Sequence, residues 1–408
     1  MLSEHKSIRH LDFKLLATVV VLMLCGLIAI YSATFVDSQA GQLNFKKQII
    51  WGMLGLLVLV GTIFVPIRFL NKYAYTIYGI SIFLLFVVLL IGTGAGTERW
   101  LELGPIRIQP AELAKVGTLL ALAKYLSKEN CNLKNFREIA ISFSLVFLPF
   151  LLVMKQPDLG SALVFLALIL PILHWAGLSS MVLFVLLAPL LSLVCAFNYY
   201  TFLVAMLIIS SVLFLSQRGL TFFLINFVLN IGVGVVTPII WNLLKEYQQK
   251  RILTFLGLVT DPHGLGYQVI QSKVSIGSGG FLGKGFLQGT QTHLRFLPEQ
   301  HTDFIFCVIG EEFGFLGICV VLTLFFYLIF KGLTIASEVK SKFSSLLVFG
   351  GVIIFLFQIV VNIGMTIGIV PVTGLPLPLL SYGGSSLISN LVIVGLLLNA
   401  SRKRFEYF

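Results

Sequence analysis

Charge is what this chain lacks most. Only 11% of its 408 residues are Asp, Glu, Lys or Arg, against 58% that are hydrophobic. A soluble globular chain is about 25% charged and 45–50% apolar, so a soluble enzyme and an ordinary nucleic-acid binder are both excluded. Cysteine is scarce too. Cys25, Cys131, Cys195, Cys307 and Cys319 are scattered, odd in number and mostly inside apolar runs. They offer neither a disulfide framework nor metal-ligand spacing. No internal repeat, attached soluble domain or cleavable leader shows. The first apolar run, Leu15–Tyr31, is long enough to span a bilayer and lacks a small-residue cleavage site.

What the chain has in excess is apolar sequence. A spanning helix needs roughly 20 mostly apolar residues, so twelve would take about 240, or about 59% of the chain. Runs of that kind fall near 13–33, 48–67, 74–92, 110–126, 138–154, 159–176, 178–196, 201–216, 221–240, 303–330, 345–368 and 382–401. They are read as helices, because lipid leaves backbone polar groups no other partner. The runs between 178 and 240 are the least separated, divided only by Asn198–Thr201 and Gln217–Arg218. The expected fold is an all-α polytopic integral membrane protein, a bundle of 10–12 transmembrane helices with one large extracytoplasmic loop.

The formal charge of +11 reports topology and contact with anionic membrane lipids. With the N-terminus (Lys6, Arg9, Lys14) in the cytoplasm, cytoplasmic segments also hold Arg68, Lys72, Lys124, Lys128, Lys134, Arg137, Arg218, Lys331, Lys340, Lys342, Arg402, Lys403 and Arg404. That makes 16 of 28 basic residues. Six others (Lys245, Lys250, Arg251, Lys273, Lys284, Arg295) sit in the stretch 241–302, a long outer loop of the kind exempt from the positive-inside rule. Nine glycines between 257 and 289, with spaced apolar residues, mark this loop as structured and functional.

Charges beside a membrane helix are costly and carry a functional default. The most informative stretch runs from Arg295 through Glu299 and His301 to Asp303, where the polar loop becomes an apolar helix. Asp303 reads two ways. Thr302 or Asp303 caps the helix, or Asp303 is a partly desolvated general base with a raised pKa. Glu299 and His301 are its candidate helpers. Glu311 and Glu312, two turns further on, are expected to pair with basic residues of neighbouring helices. In a second constellation, Arg99, Trp100, Glu112 and Lys115, the last two are i,i+3 neighbours after Pro110 at a helix start. They form either an intrahelical ion pair or the polar wall of a cavity; Trp100 is an interfacial anchor or a platform for sugar or lipid. Lys155-Gln-Pro-Asp158-Leu-Gly160 is a turn. Pro371–Ser386, with three prolines and three glycines, stops a continuous helix and suggests a re-entrant element. The run Ile276–Gly285 is not a P-loop, which needs Gly at 278 and Ser or Thr at 285. Its backbone amides, with Lys273 and Lys284, remain a phosphate-holding arrangement.

These segments together resemble the SEDS family (shape, elongation, division and sporulation). The resemblance rests on Arg99-Trp100-Leu, Gln109-Pro-Ala-Glu-Leu-Ala-Lys115, Gln156-Pro-Asp-Leu-Gly160, Tyr267-Gln-Val-Ile-Gln-Ser-Lys273, Gly277-Ser-Gly-Gly280, Gly283-Lys-Gly285, Gln288-Gly-Thr-Gln291, Leu297–Phe306 and Pro376–Ser385, in family order over most of the chain. Gln288–Gln291 before Leu297-Pro-Glu looks like the elongation (RodA-like) branch rather than the division (FtsW-like) branch. The resemblance implies a single transmembrane domain over 1–408, with the outer loop at about 241–302. An extra helix pair is expected within 178–240, where the family usually has one run.

The implied activity is peptidoglycan glycosyltransfer for cell-wall elongation and rod shape. Lipid II, a disaccharide peptide on undecaprenyl pyrophosphate, is polymerised at the outer face of the bacterial cytoplasmic membrane. The implied partner is a class B penicillin-binding protein that supplies transpeptidation. Asp303 matches the family's essential acid; Trp100, Glu112 and Lys115 match positions needed for activity. An inverting transfer follows, with Asp303 taking the acceptor proton. Lys115, Arg99, Lys273 or Lys284, or a Mg²⁺ or Mn²⁺ ion, would stabilise the leaving pyrophosphate, although no metal-ligand cluster shows. The rival is a flippase or transporter of lipid-linked precursors. Against it, the polar content is concentrated in one loop and not spread over two related halves.

Overall fold

A computed structural model describes residues 12–35, 39–93, 99–104, 106–216, 218–243, 249, 265–294, 297 and 299–402. Several residues used in the topology reading (Lys6, Arg9, Lys245, Lys250, Arg251, Arg295, Lys403 and Arg404) lie outside that set, as does most of 244–264. In chain order the helices are α1 (Phe13–Phe35), α2 (Gln39–Phe64), α3 (Ile67–Ile91), α4 (Pro110–Leu126), α5 (Phe136–Lys155), α6 (Leu159–Trp175), α7 (Ser180–Cys195), α8 (Tyr199–Leu215) and α9 (Leu220–Leu243). They continue with α10 (Leu265–Ser278), α11 (Thr290–His293), α12 (Ile305–Glu338), α13 (Lys342–Thr366) and α14 (Gly384–Arg402). Between α3 and α4 an antiparallel ribbon pairs β1 (Leu101–Leu103) with β2 (Ile106–Ile108). Among the described residues, eight helices are long and apolar enough to cross a membrane, and α6, α7 and α8 are shorter apolar helices.

Each expected apolar run is a helix, but α2 begins at Gln39 and not 48, α3 at Ile67 and not 74, and α12 runs on to Glu338 and not 330. The runs 48–67 and 74–92 are in fact α2 and α3, which turn at Val65–Pro66. Apolar residues continue through that turn, so hydropathy does not mark it. Pro66 does: it precedes the first residue of α3 and, lacking an N–H, cannot continue a helix begun earlier.

The chain forms two compact units, one of residues 1–176 with 261–408 and one of residues 177–260. The second holds α7, α8 and α9. Its core is Ala188, Ile209 and Leu213, covered by Met181, Phe184, Val185, Phe222 and Phe223. Inside it, Ser192 Oγ donates to Asn230 Oδ1 at 2.8 Å, and the Asn230 amide donates to the Asn226 carbonyl at 2.7 Å. Such polar contacts stabilise helix pairs where lipid supplies no hydrophobic drive between them.

In the first unit α14 packs on α2, α4 on α3, and α13 on α4, α6 and α12. Between α13 and α14 the chain is irregular, and Leu375, Leu377, Leu379 and Leu380 within it are buried. Its backbone groups are satisfied by side chains. Asn362 Nδ2 donates to Leu375 O at 2.7 Å, Leu377 N–H to Ser381 Oγ at 2.8 Å, and Gln48 Nε2 to Ser381 O at 3.2 Å. This is the condition that irregular backbone at membrane depth must meet.

Helix α12 is broken at Gly314, whose φ is +62°. A break leaves carbonyls orphaned before it and N–H groups after it. The glycine-rich run takes up both sets. Lys284 and Gly285 N–H donate to Glu311 and Glu312 carbonyls, both at 3.0 Å. Phe315 and Leu316 N–H donate to Gly280 and Phe281 carbonyls at 2.9 and 3.2 Å. Gly283, at φ +84°, lies where a Cβ would collide with the Glu312 carbonyl. The run is therefore a backbone splint for α12, and its Lys284 and Gly285 amides are not open to a phosphate.

Candidate active site

The site is built on the turn that leads into α12. Thr302 and Asp303 N–H both donate to the Glu299 carbonyl, at 3.2 and 3.1 Å. Glu299 holds the left-handed φ of +54°, a conformation that needs support from its surroundings. The N-cap of α12 is Phe304, and no side chain caps the helix. The capping reading of Thr302 and Asp303 is thereby corrected: Thr302 Oγ1 turns back to Glu299 Oε2 at 3.2 Å. Phe304 and Cys307 are buried with Leu297 in a cluster under the turn.

Asp303 is partly buried, and no hydrogen bond holds its carboxylate among the described residues. Its backbone is fixed instead: Asn362 Nδ2 donates to Asp303 O at 2.9 Å while also holding Leu375 O. Gly374, at φ +73°, faces the acid, and a Cβ there would lie 3.5 Å from Asp303 Oδ2. The Asp303 carboxyl is pushed up to about 7, chiefly by burial, with Glu299 and Asp158 adding to the rise and Arg99 opposing it. A carboxyl poised there exchanges protons near neutral pH. His301 is shifted the other way, below the ordinary imidazole value, chiefly by burial, against the opposing pull of Glu299. Its ring lies 5.4 Å from that of Tyr382, whose N–H donates to His301 O at 3.0 Å.

Arg99 and Asp158 act on Asp303 from the ribbon and the turn before α6. Arg99 Nε donates to Gln156 O at 3.2 Å, its Nη2 donates to Pro157 O, and its Nη1 lies 3.9 Å from Asp158 Oδ1. Asp158 Oδ1 accepts from Ser161 N–H at 3.1 Å as the cap of α6, and its Oδ2 accepts from Gln109 Nε2 at 3.0 Å. Turn, guanidinium and cap are thus one unit. Trp100 anchors the ribbon by mutual backbone bonds with Thr93, at 2.9 and 3.2 Å.

The other expected cations are placed differently. Lys115 and Glu112 form the intrahelical pair, 2.7 Å apart and 1% and 3% exposed, sunk in the bundle where Ser389 Oγ donates to Glu112 O. Lys284 Nζ pairs with Glu311 Oε1 at 2.7 Å. Glu311 is fully buried. It also accepts from Gln291 N–H at 2.8 Å, Thr292 N–H at 3.0 Å and Thr292 Oγ1 at 2.8 Å, which fastens α11 to α12. The expectation of basic partners on neighbouring helices is corrected for both acids. The partner of Glu311 comes from the glycine-rich run, and Glu312 accepts from the hydroxyl of Ser32. Lys273 is exposed on α10, its stem against Gly368 at the end of α13. Among the described residues no group of three His, Cys, Asp or Glu is placed to hold a metal ion. Asn362 was not singled out in the sequence, and Gly374 entered only as a glycine of the Pro371–Ser386 stretch. An asparagine near the end of the run 345–368 was the available signal.

The FTSW_RODA_SPOVE family, described as cell cycle proteins, matches residues 13–201 and 181–406. Peptidoglycan glycosyltransferase MrdB of Escherichia coli K12 is 37% identical over 399 residues, covering 97% of this chain and 94% of MrdB. Peptidoglycan glycosyltransferase RodA of Treponema pallidum is 32% identical over 433 residues, covering 98% and 99%. A solved chain from work on the structural coordination of polymerization and crosslinking by a peptidoglycan synthase complex superposes with a TM-score of 0.73 at 32% identity, covering 97% and 99%. The chain belongs to the FTSW_RODA_SPOVE family and is a multi-pass membrane protein.

Proposed function

We propose that this chain is a peptidoglycan glycosyltransferase that polymerises lipid II by inverting transfer, with Asp303 as general base. The observation that carries the reading is Asp303 itself: uncapped, held through its backbone, and raised to about 7 beside the irregular stretch 371–383. The Asp303 carboxylate takes the proton of the acceptor sugar hydroxyl as its oxygen bonds to the donor's anomeric carbon. The bond from that carbon to the pyrophosphate oxygen breaks, and its electron pair leaves with the lipid pyrophosphate. One displacement inverts the centre. Arg99, locked onto the 156–158 turn, tunes Asp303 and adds positive charge to the site.

The 241–302 loop and Asp303 face the outside of the cytoplasmic membrane in this reading, since assembled glycan lies there. The likeness to a chain of a peptidoglycan synthase complex supports a class B penicillin-binding protein as partner. The family match breaks into two pieces that overlap at 181–201. In this reading two of the three helices in 178–240 are an insertion into one family domain.

The test is polymerisation of lipid II by the purified chain, with and without its partner. Asp303→Asn should lose about 10²- to 10⁴-fold in rate while remaining inserted and folded. An Asn variant that keeps more than a tenth of the wild-type rate refutes the base. Flipping of lipid II without polymer would refute the activity.

A further inference from the structure

Two pairs of consecutive spans turn at the end of the bundle away from Asp303. The span Gly41–Phe64 gives way to Ile67–Ile91, and Ile305–Glu338 to Lys342–Thr366. About 30 Å of α13 separates Lys342 from Asn362, the residue that holds Asp303 O. That is one hydrocarbon thickness of a bilayer. The two turns border a cavity of about 310 Å³ lined by Ile67, Arg68, Asn71, Lys72, Ser341 and Phe343. Placed where spans begin and end, it sits at headgroup depth.

The charged groups in its lining are both positive. Lys72 is exposed. Its Nζ lies 5.3 Å from the Tyr73 ring centroid and makes no hydrogen bond or ion pair among the described residues. Arg68 is already engaged, but a guanidinium carries five donors and can serve a second acceptor. The first turns of α3 and α13 both reach the cavity, through Ile67 and Arg68 and through Ser341 and Phe343. Neither turn holds an acid to complement the positive helix end, and no side chain caps α3. Ser341 Oγ accepts from Ser344 N–H at 3.4 Å as the cap of α13, which leaves its hydroxyl proton to donate. Lys124 Nζ donates to Lys72 O at 3.0 Å and brings a further cation beside the first turn of α3. Glu338, the acid nearest to this turn in sequence, is itself partnered.

We propose that this cavity is a headgroup site for an anionic phospholipid of the phosphatidylglycerol type, its phosphate held by Lys72, Arg68 and Asn71 between the first turns of α3 and α13. The volume is at the small end for ligand pockets and suits a glycerol phosphate headgroup, with Ile67 and Phe343 toward the hydrocarbon. Basic pockets between membrane helices recognise anionic headgroups in this way. A bound lipid would tie the start of α3 to the start of α13, the helix whose other end carries Asn362. The site is separate from the Asp303 face, and the inference stands whether or not the glycosyltransferase reading does. A free phosphate carries the same chemistry without the tail, so the test must separate the two sources.

Binding of phosphatidylglycerol to the purified full chain is measured by native mass spectrometry, with phosphatidylcholine and inorganic phosphate as competitors. Phosphatidylglycerol should bind and resist displacement by an equal concentration of either. Lys72→Gln should weaken binding about five- to tenfold, the scale of one lost cation at a phosphate, and Lys72→Arg should bind as wild type does. The control is Lys14→Gln, which should change nothing. Lys14 is exposed at the same end of the bundle, two residues from Asp12, which pairs with Lys331 near the end of α12. Asn71→Leu is the second variant if Lys72→Gln does not fold, and should weaken binding in the same direction. Wild-type affinity in the substituted cavity overturns the proposal. Equal weakening by Lys14→Gln also overturns it, because diffuse surface charge would then account for the binding. Displacement by phosphatidylcholine shows that the headgroup charge is not read, and displacement by inorganic phosphate shows a free-anion site; either result overturns the lipid assignment. Lys72→Gln should leave the thermal unfolding of the lipid-free protein unchanged.

Discussion

Asp303→Asn should destroy activity and stabilise the protein at the same time, and only above a defined pH. In the folded chain the Asp303 carboxyl is raised from 3.8 to about 7. A raised carboxyl favours the neutral form, so the stability it contributes is complete below about pH 4 and is lost as pH rises through about 7. A shift of roughly three units corresponds to about 4 kcal/mol at 1.36 kcal/mol per unit. Asp303 is partly exposed, and solvent brings the expected value to about 2–4 kcal/mol. Asn has the shape of the neutral acid at every pH and never suffers that loss. The variant and wild type should therefore unfold at the same temperature near pH 4, and the variant several degrees higher at pH 8. The assay is thermal unfolding in detergent across that range, beside the polymerisation rate on the same samples. Equal stability of the two proteins at pH 8, or a less stable variant, would show that Asp303 is not desolvated and would remove the physical basis for its role as a base.

Three further outcomes follow from the same geometry. The wild-type polymerisation rate should climb about tenfold between pH 6 and pH 8 as Asp303 ionises; Glu299→Gln should move the midpoint down by roughly half a unit to one unit, and Arg99→Gln should move it up. Glu311→Ala leaves Lys284 and the α11 amides without their acceptor. It should cost about 3–5 kcal/mol and speed protease cleavage between Gly279 and His293. Lys115→Ala should cost a similar amount, because it strands the buried Glu112 carboxylate. The double variant Glu112→Leu/Lys115→Leu should be more stable than the single one in thermal unfolding.

The apolar runs and the position of Asp303 were legible because both depend on local sequence. A helix in lipid announces itself by length, and an acid at the junction of loop and helix stands out from its neighbours. What Asp303 does at that junction was not legible. Capping or catalysis turns on where one side chain points, and the structure shows Phe304 at the cap. The pairing of Glu311 escaped for a different reason. Its partner lies 27 residues back in the chain, across a fold of the glycine-rich run that no spacing rule anticipates. The same limit applies to the cations. Lys284 is visibly charged in the sequence, but nothing there shows that Glu311 neutralises it; the Glu112–Lys115 pair, at i,i+3, was one of the two readings the spacing offered. Glycine enrichment at 277–285 pointed to a ligand, when its use is to mend the break at Gly314.

One side chain, Asn362, holds the carbonyls of both Asp303 and Leu375, and it sits one turn from the end of α13. That helix has 25 residues and is therefore about 37 Å long. It is a push-rod with Asp303 riding on its tip. Sliding of α13 along its axis carries the acid and the facing wall together and keeps their spacing, whereas tilting it swings both away from the Arg99–Asp158 unit. A protein that leans on the far end of α13 would thus reach the chemistry mechanically, without touching any residue of the site.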